Sequence, residues 1–276
     1  MMRNWSHGIR VTALWILGSV VATPLVAVFL GPILPPGDQT AESHGQVVDN
    51  TVMTAVATPV VVLLIVWLGY TLIVFRAGKD GVLEGPRVHG HMRVQTLWVV
   101  FTSVTVLFLA GYGSYRLLDG GAGSGQGPTP IAPEAGPKLQ VQVIGQQWAF
   151  TYRYPSYGGV ETSRLVLPAD QVVEFHVTSL DVVHSFWAYG LGVKADANPG
   201  TDNVAYVTTK KLGAFEIHCA ELCGLWHGYM FDTGRVVSAS DFASWIASQQ
   251  RMFAPIAKSL PPYSKTYLPE PQRRAG

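Results

Sequence analysis

The sequence predicts a membrane-anchored all-β protein, with hydrophobic helices near the N-terminus and a β domain after them. Three observations carry this prediction. The 276-residue chain is 48% hydrophobic and only 13% charged, its N-terminal part holds long stretches without any charged residue, and short alternating segments follow. A low charge content and a net charge of +1 argue against nucleic-acid binding, which needs a basic surface.

Three stretches carry no charged residue: Val11 to Gly37, Val52 to Phe75, and Val94 to Tyr115. A helix needs about 20 apolar residues to cross the hydrocarbon core of a bilayer. The second and third stretches therefore predict a two-helix transmembrane hairpin within residues 38–118. The first stretch follows Arg3 and Arg10 and ends in a Pro/Gly cluster, so residues 1–37 fit either a signal peptide or a third membrane helix.

The placement of lysine and arginine predicts the orientation. The connection between the second and third stretches holds four basic residues, Arg76, Lys79, Arg87 and Arg93, whereas residues 38–51 hold only acidic charges. Basic loops stay on the cytoplasmic side. We therefore expect a multi-pass protein of the cell membrane, in contact with lipid, whose C-terminal part lies on the outer (periplasmic or extracytoplasmic) face.

The β domain is predicted from residue 139 onward. Residues 119–138 are rich in Gly, Pro and Ser, which indicates a flexible linker. Hydrophobic and polar residues then alternate in short runs such as Leu139–Val143 and Val172–Val177, and turn residues separate the runs. Many short strands at such spacing predict a sandwich or a barrel, which we place at residues 139–248.

The end of this domain has a different pattern. Asp241–Ser248 predicts a short closing helix, with Ser240 as its N-cap. Residues 249–276 are predicted to form a C-terminal tail, extended or disordered from Arg251 onward, because proline and scattered charges are frequent there.

The most informative segment is Cys219–Met230, where donors follow the spacing Cys-x3-Cys-x3-His-x2-Met. Cys219 and Cys223 are the only cysteines of the chain, and His184 offers a second imidazole. Thiolate and thioether are soft ligands that, together with imidazole, favour copper over harder cations. Two cysteines, two histidines and one methionine are too many donors for one tetrahedral ion, but they suit two copper ions bridged by both sulfurs.

Two simpler interpretations compete with copper. Two cysteines four residues apart can form a disulfide in an oxidising compartment. Zinc is also bound by Cys and His, but structural zinc sites do not use Met. The presence of all five donors, with Glu221 between the cysteines, favours copper.

Two membrane helices followed by a β domain with His…Cys-x-Glu-x-Cys-Gly-x-x-His-x-x-Met resemble subunit II of the haem–copper respiratory oxidases, specifically the cytochrome c oxidase subunit II family. The resemblance covers Asp49 to Ala247, and three blocks carry it: Gly145–Trp148, Asp181–Gly200 and Cys219–Met230. It implies that the β domain is a cupredoxin-like Greek-key β-barrel.

The resemblance also implies a dinuclear copper centre, called CuA. The implied ligands are two bridging cysteines, one histidine for each copper, a weak methionine and a backbone carbonyl: Cys219, Cys223, His184, His227, Met230 and Glu221. The Glu221 carboxylate would point towards a Mg or Mn ion shared with the catalytic subunit. Trp148 would be the residue through which electrons enter. The alternative interpretation is that Trp148 is only an aromatic residue of the barrel core.

The implied function is to accept electrons one at a time from cytochrome c and pass them to the haem–copper catalytic subunit, which reduces O2 to water. The implied partners are oxidase subunit I, the other oxidase subunits and cytochrome c. Two alternatives stay open, a CuA-containing subunit of a nitric oxide reductase and a membrane-anchored copper-binding or copper-delivery protein. Gln95 stands where family members often carry a glutamate for proton uptake, and an amide cannot exchange protons at neutral pH.

Overall fold

The computed structural model of the chain describes residues 6–34, 39–76, 90–119 and 137–257. The chain divides into two compact units, one made of residues 1–34 and 48–119 and the other of residues 35–47 and 120–276. The basic residues Lys79 and Arg87 and nearly all of the predicted linker lie outside the described residues.

Three helices of the described chain are long and apolar enough to cross a membrane: α1 (His7–Leu25), α2 (Ala41–Val74) and α3 (Met92–Asp119). Beyond α1 the chain continues through the helical turns Val26–Leu30 and Gly31–Ile33. Two long apolar helices are therefore confirmed where the hairpin is predicted. The first stretch is helical as well, but a signal peptide and a membrane helix both have this conformation, so its cleavage stays a prediction.

One polar cluster joins α2 to α3. Asp49 of α2 accepts a hydrogen bond from the Tyr112 hydroxyl at 2.9 Å and from Arg116 Nε at 2.7 Å, both on the same carboxylate oxygen. Most other large side chains of these helices are apolar and exposed, which is the arrangement expected of helices that face lipid.

Within the described part of the β unit, ten strands form two five-stranded sheets. The first sheet consists, in spatial order, of β3 (Val160–Thr162), β2 (Ala149–Tyr154), β1 (Lys138–Gln146), β5 (Val172–Ser179) and β8 (Asn203–Thr208). The second sheet consists, in spatial order, of β4 (Val166–Pro168), β10 (Phe231–Val237), β9 (Gly213–Cys219), β6 (His184–Ala188) and β7 (Val193–Ala197). The pairs β1–β5 and β4–β10 are parallel and the other pairs are antiparallel.

One hydrophobic core is shared by the two sheets. Val141 and Phe175 enter it from the first sheet, and Phe186 and Ile217 enter it from the second, all without solvent exposure. The ring centroids of Phe175 and Phe186 lie 5.5 Å apart. Side chains of successive strand residues point to opposite faces, so the predicted period-two runs supply this core. The predicted sandwich or barrel is present as two sheets with a shared core.

Tyr154 ties the two sheets together. This fully buried side chain belongs to β2, and its hydroxyl donates to the Val166 carbonyl at 2.9 Å and accepts from the Val166 N–H at 3.0 Å, on β4 of the other sheet. Burial raises the pKa of Tyr154 well above its ordinary value, so the phenol stays protonated and able to donate.

Tyr154→Phe should therefore destabilise the β unit by about 1–3 kcal/mol, the cost of leaving buried backbone groups without partners. Chemical denaturation of the purified chain in detergent measures this change. Tyr157→Phe is the matched control, because its ring packs on Phe242 from the rim of the core, and it should cost less than about 0.5 kcal/mol. Equal costs for the two variants would contradict the assigned role of the Tyr154 hydroxyl.

His176 forms a separate charged cluster on the first sheet. Its Nδ1 lies 2.7 Å from Asp202 Oδ2 and its Nε2 lies 2.9 Å from Glu174 Oε1. Burial acts to lower the pKa of His176, but hydrogen bonds and charges from Asp202 and Glu174 outweigh it, so the pKa is raised. A raised folded-state pKa stabilises the protein fully below the unfolded value of about 6.5, and this contribution is lost as the pH rises through the folded pKa.

Replacement of His176 by Gln should therefore cost more stability at about pH 5.5 than at about pH 8.5, by up to about 1 kcal/mol because the Asp202 partner is partly exposed. Thermal unfolding of both proteins at the two pH values measures the difference. Asp202→Asn should flatten the pH dependence of the wild-type stability. A loss that is the same at both pH values would mean that His176 is uncharged in the folded protein.

The closing helix is longer than predicted. Helix α4 runs from Ala239 to Ala257, so it crosses the predicted domain end at residue 248, and the prediction of an extended tail is wrong for residues 251–257. The N-cap is Ser238 rather than Ser240, because Ser238 Oγ accepts from the Asp241 N–H at 3.1 Å. Phe242 and Ile246 are buried and form the inner face of the helix. Residues 258–276 lie outside the described residues.

The residues that lead into α2 belong to the β unit. Thr40 forms an isolated bridge with Thr209, and its hydroxyl donates to the Leu191 carbonyl at 2.8 Å. Gly192 has φ +67°, and a Cβ there would lie 2.8 Å from the Ser43 amide nitrogen. Glycine is needed at this position for its backbone conformation and for the close approach of the chain.

Candidate metal centre

The predicted sulfur and nitrogen donors come together at one end of the β unit. His184 opens β6, and Cys219 ends β9. Cys223, His227 and Met230 lie in the connection from β9 to β10. Because β6 and β9 are paired neighbours, with Phe186 opposite Cys219, His184 and Cys219 lie at the same end of the sheet.

Two thiols stand at the middle of this cluster. The sulfurs of Cys219 and Cys223 are 3.7 Å apart, and both cysteines are free. A disulfide needs about 2.05 Å between the sulfurs, so the two side chains are not joined. Each sulfur has its own imidazole, with His184 Nδ1 at 3.8 Å from Cys219 and His227 Nδ1 at 3.6 Å from Cys223. The thioether of Met230 lies 3.8 Å from the Cys223 sulfur.

The donors differ in their access to solvent. His184, Cys219, Cys223 and Met230 are buried, whereas His227 is half-buried. Ligand atoms of His184 and of the two cysteines lie within 4.8 Å of one another. Soft donors packed at these distances in a largely dry site fit a soft metal such as copper.

Asp181 orients the first histidine. Its Oδ1 accepts from His184 Nε2 at 2.9 Å and from the Val182 N–H at 2.7 Å, and its Oδ2 accepts from the Gln147 N–H at 2.7 Å. This arrangement leaves His184 Nδ1 facing Cys219. Sequence reasoning missed the role of Asp181, although a carboxylate that orients a ligand histidine is a common companion of metal sites.

Gly145 provides the space for His184. A Cβ at Gly145 would lie 3.0 Å from His184 Cδ2 and 3.2 Å from Cγ, so a larger residue would push the imidazole out of place. Gly145 belongs to β1, which lies in the other sheet from His184. The contact therefore explains the glycine at the start of the predicted Gly145–Trp148 block.

The two thiols have opposite pKa shifts. Burial acts to raise the pKa of Cys219, but hydrogen bonds from His184 and from backbone amides lower it to about 6. Burial raises the pKa of Cys223, and the hydrogen bond and charge of Cys219 raise it further, to about 12. Only one thiol therefore ionises readily at neutral pH, and a bound cation is needed to draw the proton from the other.

Trp148 contacts this cluster through the backbone. Its Nε1 donates to the Cys223 carbonyl at 3.2 Å, and Gln147 Nε2 donates to the same oxygen at 2.8 Å. Gly224, at φ +113°, leaves room for both, because a Cβ there would lie 2.9 Å from Gln147 Nε2. Trp148 is half-buried and packs at the edge of the core, so its core contact and its contact with the metal loop coexist.

Glu221 has two distinct groups near the cluster. Its backbone carbonyl lies 3.2 Å from the Cys219 sulfur, where a carbonyl ligand is expected. Its side chain is exposed and is not a member of the His184–Cys219–Cys223 group.

The comparison with known proteins points to one family. Residues 160–237 match the family model described as Cytochrome C oxidase subunit II, periplasmic domain. A probable cytochrome c oxidase subunit 2 of Rickettsia bellii (strain RML369-C) is 29% identical over an alignment of 221 positions, which covers 72% of this chain and 77% of that protein. The cytochrome c oxidase subunit 2 of Thermostichus vulcanus is 27% identical over an alignment of 298 positions, gaps included, which covers 90% of this chain and 89% of that protein. The chain belongs to the cytochrome c oxidase subunit II family.

One solved structure is also similar to part of this chain. It is the crystal structure of the periplasmic domain of subunit II of cytochrome oxidase (CoxB) of Bradyrhizobium japonicum. The two sequences are 34% identical in the matched region, which covers 44% of this chain and 98% of the solved chain, with a TM-score of 0.41. Three further Rickettsia subunits 2 are matched over 65% of their own length. Membership of the subunit II family confirms the resemblance predicted from the sequence. It also confirms the cupredoxin-like β domain behind membrane helices, and the assignment of the chain to an oxidoreductase complex.

The matched residues 160–237 contain the six predicted metal ligands but not Trp148. The structure brings five donor side chains and the Glu221 carbonyl together.

Proposed function

We propose that this chain is the subunit through which electrons enter a cytochrome c oxidase. It accepts electrons one at a time from cytochrome c at a dinuclear copper centre, CuA, and passes them to the haem–copper catalytic subunit for the reduction of O2 to water. Membership of the subunit II family supports the general role, and the proposed ligands are the ones predicted from the sequence.

One observation carries the copper assignment. Two unjoined thiols lie 3.7 Å apart, and each has its own imidazole within 4 Å. A single tetrahedral ion would leave part of this donor set unused, whereas two ions that share both sulfurs would give every donor a role. The thioether of Met230 on the Cys223 side also argues for copper rather than structural zinc.

The protein's own residues prepare this site. When bound, the copper pair would supply reversible one-electron oxidation and reduction. Asp181 holds His184 so that Nδ1 faces inward, and paired strands hold the loops that carry the other donors. These contacts would keep the donor side chains in place when a bound metal centre gains or loses an electron, which would favour fast transfer.

Trp148 provides the proposed path for the incoming electron. Its indole is half-buried and hydrogen-bonded to the Cys223 carbonyl. The covalent bonds of Cys223 alone therefore connect this carbonyl with the Cys223 sulfur, which would bind the metal. The Glu221 carboxylate is exposed on the same loop, and we propose that it contributes to a Mg or Mn site shared with the catalytic subunit.

The proposed partners follow from the two units. The apolar helices anchor the chain in a membrane, and we propose that they pack against oxidase subunit I and other oxidase subunits. We further propose that the β unit faces the outer side of the cell membrane, where cytochrome c docks. For the domain boundaries we keep a copper domain that begins near residue 139, and we extend it to the end of α4.

Purification of the membrane complex, with metal analysis and electron paramagnetic resonance, tests this proposal. We expect two copper ions in this chain that share one unpaired electron, and consumption of O2 by the complex. Signals of isolated mononuclear copper would contradict the dinuclear centre. Consumption of NO instead of O2 would assign the complex to the nitric oxide reductases, and exchangeable copper without a stably associated haem protein would indicate copper delivery.

A further inference from the structure

Exposed apolar side chains are concentrated at the metal end of the β unit. Of the ten large apolar residues exposed within residues 137–257, seven lie in the loops and the strand around the proposed centre: Val182, Val183, Leu222, Leu225, Trp226, Tyr229 and Phe231. Leu225 and Leu222 are the most exposed of all ten, at 83% and 77%. Single exposed leucines are ordinary, whereas a cluster of this kind marks an interaction site.

Leu222 and Leu225 lie on either side of the peptide that Trp148 contacts. The Cys223 carbonyl between them accepts the hydrogen bonds of Trp148 Nε1 at 3.2 Å and Gln147 Nε2 at 2.8 Å. Gly224 completes this short loop at φ +113°. The backbone between the two leucines, here called the leucine rim, is therefore attached by hydrogen bonds to Gln147 and to the half-buried indole of Trp148.

The leucine rim has little charge around it. Residues 140–150, 180–190 and 219–231 contain no lysine or arginine, and their only carboxylates are Asp181 and Glu221. Both oxygens of Asp181 are engaged within the protein, by His184, Val182 and Gln147. The other carboxylate of these three segments, that of Glu221, belongs to an exposed residue. Such a surface offers few partners to a protein that docks through a ring of lysines.

We propose that the leucine rim is the docking surface for the electron donor, and that this donor is a redox protein whose cofactor edge is surrounded by neutral, apolar side chains. The inference rests on the proposed function and specifies its partner. In the docked complex one electron leaves the reduced cofactor of the donor and arrives at the metal centre. No bond forms or breaks, and no proton is needed.

The physical consequence is a weak dependence on ionic strength. Association steered by complementary charges becomes slower as salt is added. Apolar contact is not screened by salt, and a small apolar interface suits a redox complex that must dissociate after each transfer. Leucines at the centre of the contact exclude water from the space above Trp148.

The purified oxidase complex in detergent provides the test, with two soluble cytochromes c as probes, one with a neutral apolar haem edge and one with a lysine-ringed haem edge. Binding of the oxidised probes is measured by interferometry, and electron uptake from the reduced probes by stopped-flow absorbance. Salt is raised from about 0.01 M to about 0.1 M, which shortens the Debye length from about 30 Å to about 10 Å. The rate and affinity for the neutral probe should change by less than about twofold, on the scale of 0.4 kcal/mol.

Variants then locate the surface. Leu225→Lys and Leu222→Lys should each weaken binding of the neutral probe and slow its electron transfer by about tenfold or more. Leu225→Gln, which adds no charge, should give a smaller loss in the same direction. Leu212→Lys is the matched control, because Leu212 is also exposed but lies just before β9, at the opposite end of that strand from the proposed ligand Cys219. This variant should bind the neutral probe and accept its electron as the wild type does.

Three outcomes would overturn the leucine rim. The first is faster reaction with the lysine-ringed probe, combined with a steep loss of rate on adding salt. The second is unchanged binding and transfer in both lysine variants. The third is failure of the lysine variants to assemble with the haem subunit, which would assign the rim to an interface inside the oxidase.

A small reductant separates this inference from the proposed function. Hexaammineruthenium(II) needs no docking surface. At about 1 M salt, where the Debye length is about 3 Å and its positive charge is screened, it should reduce the wild type and the lysine variants at nearly equal rates, with unchanged copper content and spectrum. A complex that accepts electrons from neither this reagent nor a protein fails the proposed function itself. If the reagent reduces the complex normally and the lysine variants react with protein donors at the wild-type rate, only the docking surface is overturned.

Discussion

Replacement of Cys219 by serine should abolish the shared-electron signal and reduce electron uptake by the complex to below about one thousandth of the wild-type rate, the scale of loss when one member of a group that acts as a unit is removed. Cys219 is buried, faces the Cys223 sulfur at 3.7 Å and carries the thiol with the lowered pKa. A serine hydroxyl is a harder donor and does not ionise at neutral pH. The measurements are copper content, electron paramagnetic resonance and stopped-flow reduction.

Methionine variants provide a matched control for this result. Met230→Leu removes the thioether that lies 3.8 Å from Cys223 and should alter the spectrum and the reduction potential while copper is retained. Met252→Leu removes an exposed thioether on α4 and should change neither. A Cys219→Ser protein that still holds two coppers with a shared electron would show that this sulfur does not bridge the ions.

Replacement of Trp148 by phenylalanine should slow electron uptake from a protein donor by about tenfold or more, equal to about 1.4 kcal/mol in activation free energy. The substitution keeps an aromatic ring at the edge of the core but removes the hydrogen bond to the Cys223 carbonyl. Copper content and the resting spectrum should not change, because the side chain of Trp148 binds no metal. Stopped-flow reduction by a protein donor and by hexaammineruthenium(II) measures the two effects separately.

Trp187→Phe is the control for this prediction. Trp187 lies on β6 and packs edge-on against Tyr189 with 4.3 Å between ring centroids, so its loss should leave electron uptake unchanged. If Trp148→Phe lowers the stability of the β unit and has no effect on electron uptake, Trp148 is a core aromatic. That result would remove the residue from the proposed electron path.

Much of the architecture could be predicted because its signals are local. Apolar stretches long enough to span a bilayer identify α2 and α3, and alternation identifies β1 and β5. The parallel pairing of β1 with β5 could not be predicted, since nothing within a strand specifies a distant partner. The length of α4 could not be predicted, because Pro255 is typical of a helix end but lies inside α4 near its C-terminal end.

The donor set was predictable and its support was not. Four of the five donor side chains lie within Cys219–Met230, where the spacing itself is informative. Gly145 and Asp181 act on His184 across contacts between separate strands and loops. A glycine at the end of one strand and an aspartate in a loop have many ordinary explanations. Only the folded chain brings them to the same imidazole.

Residues 39–47 belong to the β unit, so a truncated protein meant to contain only the β unit needs them. A truncated protein that starts after the linker lacks Thr40, so the Leu191 carbonyl loses its donor and Thr209 loses its bridge partner. The gap left beside Gly192 would admit water to a surface that the intact polypeptide keeps covered. Grafting this upstream piece back onto the fragment is therefore the sounder starting point for a soluble version.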